Sequence, residues 1–157
     1  MENKLVISHI MMPDQANVAG NVHGGEIMKM MDTAAGAVCI KYARGNVVTA
    51  RVDELLFLRP VLVGTLVTCT AEIAYVGRTT MEVIVTTEIE DLESDAGPEV
   101  ALTGFFTMVA LDKTGKPKRV RPFVPQTDYQ KKIFAEAESR RALYKKRLLN
   151  EDSCGKQ

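Results

Sequence analysis

One carboxylate and two adjacent glycines hold most of the chemical potential of this chain. Asp32 stands in the middle of residues 17–44, NVAGNVHGGEIMKMMDTAAGAVCIKYAR, a run that is mostly apolar from Ile27 onward. A carboxylate is costly to bury unless it is paired or hydrogen-bonded, so its presence among apolar neighbours asks for a purpose, and general-base or nucleophilic work is one. Gly24 and Gly25 come earlier, at the start of a helix, where backbone N–H groups lack intrahelical partners and no side chain keeps a substrate oxygen away. Such donors suit a carbonyl oxygen gaining negative charge. Both features have a plainer reading. Two glycines also make a tight turn against a strand, and Asp32 has Lys29 three positions before it for an intrahelical ion pair.

Around this pair stand weaker candidates. Asn17 and Asn21 could orient a water or a substrate through an amide, or serve as turn residues in a glycine-containing loop. His23 could act as a base, or cap and pack the helix start. Cys39, inside the helix, reads as core filling. Further on, Gly77, Arg78, Thr79 and Thr80 join two strand-like runs with a glycine, a guanidinium and two hydroxyls, which fits a phosphate contact and a plain hairpin equally. Lys116, Lys118, Arg119 and Arg121 form a denser cationic patch, either a solvated face or a seat for a ligand with several phosphates.

Spacing limits how these groups can cooperate. Asp32 lies eight positions after Gly24, which at helical rise separates them by about 12 Å along one axis. They cannot both touch one reacting carbon from the same chain. If both serve one site, a second copy of the helix must run alongside in the opposite sense, and a two-fold dimer with the site on its interface is expected.

The elements that must position these groups follow from periodicity. Ile27, Met31, Ala34, Val38 and Tyr42 recur at helical spacing, with Met28, Ala35 and Cys39 in the adjoining stripe, so the helix is expected to be wrapped with little surface left to water. Gly45 and Asn46 are expected to close it, after Lys41 and Arg44 have placed positive charge near its C-terminal end. Before it, residues 5–12 alternate as a first strand that stops at Pro13. After it come four runs rich in Val, Ile, Thr and Phe, at 47–60, 65–76, 79–92 and 99–112, and their short connections predict antiparallel neighbours. In the third of these, Glu82, Thr86 and Glu88 mark one face as partly wet. Residues 126–149 read as a charged amphipathic helix with Ile133, Ala137, Leu143 and Leu148 on a thin apolar strip, followed by a frayed tail. The expected class is α+β, a helix filling the concave face of a five-stranded antiparallel sheet, with the first domain at 1–125 and a helical extension at 126–157.

Bulk composition agrees with one compact domain. With 157 residues, 46% hydrophobic and 25% charged, the chain can bury about two-thirds of its unfolded surface. Lys+Arg and Asp+Glu are both 20, so no global field favours nucleic acid or an anionic membrane. The terminal helix is basic, but its supply of Glu and Asp argues against strong tracking of phosphates. Three scattered cysteines and two histidines form neither a disulfide framework nor a zinc site. No stretch has signal-peptide form or membrane-spanning length, so a cytoplasmic location without membrane insertion is the expectation.

The blocks DQANVAGNVHGGEIMKMMDTAAG, RVDELLFLRPVLVG and AYVGRTTMEV, in this order and spacing, resemble the hotdog-fold acyl-CoA thioesterases of the cytosolic acyl-CoA hydrolase group, over about residues 5–124. The resemblance implies a helix wrapped by an antiparallel sheet, a homodimer with a continuous sheet as the unit, and commonly a trimer of dimers. It implies hydrolysis of fatty acyl-CoA to free acid and CoA, with no metal or organic cofactor. In the family's pattern Asp32 is base or nucleophile, Asn17 of the partner chain lies opposite it, and Gly25 offers its N–H to the carbonyl oxygen. His23, Gly24, Gly77, Arg78, Thr79, Thr80, Lys118 and Arg119 would then contact substrate or CoA. His23 stands where many bacterial members carry Phe, and Leu56 replaces a polar residue. The alternative is a catalytically silent hotdog sensor of acyl-CoA or nucleotide.

Overall fold

A computed structural model describes residues 3–154. Strand β1 (Lys4–Ile10) leads through a 3₁₀ turn at Pro13–Gln15 to helix α1 (Gly24–Ala43), then β2 (Val47–Phe57), β3 (Leu66–Val76), β4 (Thr80–Glu90), β5 (Glu99–Ala110) and helix α2 (Asp128–Cys154). The five strands form one antiparallel sheet in the order β1-β3-β4-β5-β2, which gives the α+β class expected. Helix α2 continues to Cys154, five residues into the tail expected to fray, and the rest of that tail, 155–157, lies outside the described residues.

Short connections do make β3, β4 and β5 sequential neighbours, but β2 and β3 lie apart, with β2 paired to β5 and β3 to β1. The eight residues between them, 58–65, can reach about 26 Å when extended, more than the three strand spacings of about 4.8 Å that separate β3 from β2. Chain length therefore permits a crossover that the pattern of turns does not announce. Backbone bonds fix its path: Leu58 N–H donates to Ala101 O at 2.8 Å, Val22 N–H to Val61 O at 2.8 Å and Gly64 N–H to Met11 O at 2.8 Å. The register of β2 on β5 slips between Asp53 and Leu56, where Glu54 adopts a left-handed φ of 49°, a bulge that bends the strand.

The sheet curls around α1. Ile27, Met31, Ala34, Ala35, Val38 and Cys39 are wholly buried against Val67, Cys69, Ile73, Val83, Val85 and Phe106 from the strands. The apolar stripe thus packs as its spacing requires, and Cys39 is core filling with a free, buried thiol. Complete wrapping does not follow. In the protomer Met28, Asp32 and Ile40 lie on an exposed side of the helix, because the sheet covers only the stripe through Ile27, Met31 and Val38. Closure of α1 also differs from expectation: the left-handed residue is Arg44, with φ 51° and ψ 50°, and its N–H bonds Ile40 O at 2.9 Å, so Gly45 follows the cap.

The convex face is drier than Glu82, Thr86 and Glu88 suggest, because α2 lies across it. Ile133 and Ala137 are buried beside Ala74, with Tyr75 and Ile84 packed around them. Leu143 and Leu148, assigned to the same apolar strip, are exposed, and beyond Ala137 the half-buried positions are Arg140, Arg141 and Tyr144. Glu82 is only 6% exposed, and its Oε1 accepts from Arg140 Nε at 2.9 Å and Nη2 at 2.6 Å. No helix among the described residues is long and apolar enough to cross a membrane.

Candidate active site

Asp32 has a partner that helical spacing does not reveal. Thr49, near the start of β2, donates its hydroxyl to Asp32 Oδ1 at 2.6 Å. Among the described residues no ion pair joins Asp32 to Lys29. One carboxylate oxygen is therefore held by a neutral donor, and the group faces outward from the protomer.

The helix start is capped by His23. Its backbone is extended, at φ −64° and ψ 126°, and its Nδ1 accepts from Gly25 N–H at 3.0 Å. The capping reading of His23 thus holds in the protomer, and the Gly25 donor becomes available to a ligand only when the imidazole turns aside. Gly24 packs closely on β2: a Cβ there would lie 3.2 Å from the Phe57 ring, which would have to give by a few tenths of an ångström. Asn17 forms a turn, its Oδ1 accepting from Ala19 N–H at 2.9 Å and Asn21 N–H at 3.2 Å, while Asn21 O receives Asn17 N–H at 2.7 Å. These bonds leave the Asn17 amide nitrogen as the end able to meet a ligand, and no hydrogen bond links it to Asp32 within the chain.

The second cluster gathers near the opposite end of α1. Gly77 N–H donates to Thr80 O at 2.8 Å and closes the β3–β4 hairpin, so the hairpin reading is correct as geometry. Ala110 N–H holds Thr79 O at 3.0 Å, and Val120 N–H holds Arg78 O at 3.0 Å, which brings the segment after β5 beside the turn. Together Gly77, Arg78, Arg119 and Arg121 line a groove of about 770 Å³. Arg121 lies over the Tyr42 ring at 4.2 Å, and its Nε–H is buried without a hydrogen-bond partner. Lys118 is not in this groove; its Nζ lies by Gly45, just beyond the end of α1, because its backbone N–H is tied to Ala110 O at 2.7 Å. Thr80 turns its hydroxyl toward α2, where Arg141 donates to it at 3.0 Å.

Within one chain, then, Gly24 and Gly25 stand at one end of a 20-residue helix of about 30 Å, the cationic groove at the other, and Asp32 between them. Thr49 and Arg141 escape sequence reading. The lone threonine of β2 carries no signal until the register of that strand against α1 is known, and Arg141 is one of many bases on a charged helix.

A model of the thioesterase superfamily matches residues 19–95. The acyl-CoA thioester hydrolase YciA of Escherichia coli is 34% identical over 119 residues, 74% of this chain and 90% of that protein. The cytosolic acyl coenzyme A thioester hydrolase of Mus musculus is 33% identical over 133 residues, 84% of this chain, and the chain spans only about a third, 35%, of the mouse protein's length. Among solved structures, the acyl-CoA hydrolase of Staphylococcus aureus in complex with butyryl coenzyme A, coenzyme A and its disulfide superposes with a TM-score of 0.87 at 31% identity, covering 98% of this chain and 93% of that one. The hexameric thioesterase of Yersinia pestis gives 0.72 at 30% identity, covering 78% and 100%. A shared fold over nearly the whole chain, and shared sequence over most of the length of YciA, mean that this protein belongs to the thioesterase superfamily with the hotdog fold, as a member of its acyl-CoA thioester hydrolase family.

Proposed function

We propose that the chain hydrolyses fatty acyl-CoA to free acid and CoA in a site composed by two protomers. The observation that carries this reading is Asp32 itself, an outward-facing carboxylate oriented by Thr49 on an uncovered side of α1. Two antiparallel copies of α1, overlapping over their first halves, would set one copy's Gly24 and Gly25 and its Asn17 near the other's Asp32. The uncovered edge of β2, with Val48, Val52, Leu56 and Phe57 exposed, supports pairing of two protomers there, since a long apolar edge strand is ordinarily covered. The hexameric state of the Yersinia pestis relative supports a trimer of such dimers. Structures of the Staphylococcus aureus hydrolase include alanine variants of an asparagine, an aspartate and a threonine separated by 15 and then 17 positions. Asn17, Asp32 and Thr49 have the same separations, which supports treating the three as one site.

In this mechanism Asp32 takes a proton from water as the water oxygen bonds to the thioester carbon. The partner's helix start receives the oxyanion, with His23 turned aside from Gly25. Collapse breaks the C–S bond and the proton passes to the CoA thiolate. Asn17 of the partner orients the water or carbonyl through its free amide nitrogen. Arg78, Arg119 and Arg121 would bind the phosphates of CoA, with Gly77, Thr79 and Thr80 shaping the turn. Every group comes from the chain, so the reaction as proposed uses neither metal nor organic cofactor.

Thiol release from palmitoyl-CoA tests the reading. Turnover by the wild-type chain and a loss of about 10² to 10⁴ in kcat for Asp32→Ala are expected, with unchanged circular dichroism because the side chain is outside the core. Near-normal turnover of Asp32→Ala removes it from the mechanism. Binding of CoA without any thiol release by the wild type would make the protein a sensor instead.

A further inference from the structure

We infer that α2 is a positioning element for the CoA-binding turn and acts through Arg141. The inference rests on the proposed placement of CoA phosphates at the Gly77–Thr80 turn, and it gives a task to a helix that the proposed chemistry does not use.

The turn is held from two sides. On one, Val120 N–H binds Arg78 O at 3.0 Å. On the other, Arg141 Nη1 donates to Thr80 Oγ1 at 3.0 Å, and the guanidinium occupies the space where a Cβ on residue 77 would stand. That added Cβ would also lie 2.9 Å from Thr80 Oγ1. Glycine at 77 is thus explained by the arginine behind it, since no left-handed φ is recorded there. Arg141 lies over the Tyr75 ring at 5.2 Å, and Tyr75 leads out of β3 into the turn.

The register of α2 that delivers Arg141 is fixed by its neighbours. Arg140 makes two hydrogen bonds to buried Glu82 and stacks on Phe105 at 3.9 Å, while Ala137 and Ile133 are buried about one and two turns earlier. Consecutive arginines thereby do different work: Arg140 anchors the helix to the sheet, and Arg141 braces the turn. The groove with Arg78 and Arg119 does not include Arg141, so its influence on a phosphate passes through Gly77 and Thr80.

The full-length chain carries the test. Arg141→Ala is expected to raise KM for an acyl-CoA, and the Kd of free CoA by calorimetry, about fivefold to tenfold, the loss of roughly one net hydrogen bond. Its kcat, and its KM for the same acyl group on N-acetylcysteamine, which lacks the nucleotide, should not move. Arg141→Lys, whose Nζ ends one bond short of the guanidinium nitrogens, keeps a donor toward Thr80 and should recover part of the loss. Gly77→Ala, which displaces the guanidinium without deleting it, should reproduce Arg141→Ala and serves in its place should that variant fail to fold. Unchanged CoA affinity in Arg141→Ala overturns the inference. So does an equal loss on both thioesters, which means general damage, or a Lys variant as poor as Ala, which means that the donor to Thr80 is not what matters. Arg78→Ala separates this inference from the reading beneath it: if it weakens CoA binding and Arg141→Ala does not, only the bracing role falls. If Arg78→Ala leaves CoA binding intact, the phosphate assignment and the bracing role fall together. A wild-type chain that releases no thiol still answers through the Kd of CoA.

Discussion

The carboxylate of Asp32 is legible in the sequence as an anomaly, an Asp on a helix of Ile, Met, Ala and Val, whereas its hydrogen-bond donor is not. Thr49 is 17 positions away and meets Asp32 because β2 returns beside α1, a relation of register and curvature that no local pattern encodes. The bond gives a defined expectation. Thr49→Val keeps shape and removes the donor, so kcat should fall about tenfold with KM for acyl-CoA little changed, measured by thiol release; an unaltered kcat would limit Thr49 to packing. Cys39 gives a contrasting case, a residue whose inert reading from position alone is matched by its surroundings. Burial pushes its thiol up to about 12 from 9.0, and Cys69 is raised by the same cause, with a hydroxyl contact to Thr87 opposing it. Both thiols should resist a disulfide reagent at pH 8 in the folded protein and react once it is denatured. The folded-state value of Cys39 lies above the unfolded one, so its contribution to stability is complete below pH 9.0 and is lost as pH rises toward about 12.

At the scale of elements, α1 and the strands follow from periodicity almost residue for residue, because apolar spacing is a local property. What was not legible is which elements share a face. Two strands joined by eight residues fall on distant positions in the sheet, and a carboxylate that marks Glu82 as wet is instead roofed by a helix more than 45 residues further along the chain. That roof rests on an ion pair, Arg140 with Glu82, whose side chains are 22% and 8% exposed. Removing the arginine leaves a buried carboxylate unpaired, so Arg140→Ala should lose about 3 kcal/mol in denaturant unfolding, the low end for buried pairs because Arg140 keeps some contact with water. The titration of Glu82 adds a sign. Burial raises its carboxyl above 4.5 and outweighs the opposing pull of Arg140 and Arg51. A raised folded value means that the native state holds the proton more tightly, so this group's contribution is full below pH 4.5 and declines as pH rises through the folded value. Wild-type stability relative to Glu82→Gln should therefore decrease as pH is raised from about 4.5 into the neutral range. A difference that stays flat, or grows with pH, would contradict that assignment.

For the whole molecule, the proposed site has as its widest consequence that neither end of α1 suffices alone. Gly24 and Gly25 begin the helix, Arg78 and Arg119 lie near its other end, and Asp32 faces outward between them beside an uncovered β2 edge. The separation of Gly24 from Asp32 was foreseeable from their eight-position spacing, since a distance along one rigid helix is a tertiary distance that sequence sets directly. The proposed site draws Asp32 from one protomer and Asn17 from the other, and complementation tests that division directly. Asp32→Ala and Asn17→Ala chains should each be nearly inactive alone. Co-refolded in equal amounts, they form mixed dimers in which one site carries both substitutions and the other carries neither. Random pairing makes half of the dimers mixed with one intact site of two, so about a quarter of wild-type activity should return. A site built within one chain would be damaged in every protomer and would recover nothing. Val52→Lys on the β2 edge supplies the structural counterpart: the assembly mass by sedimentation should fall and thiol release with it, while the circular dichroism of the protomer persists. Recovery near a quarter, lost when both chains also carry Val52→Lys, would tie the regained turnover to contact between two copies across that edge.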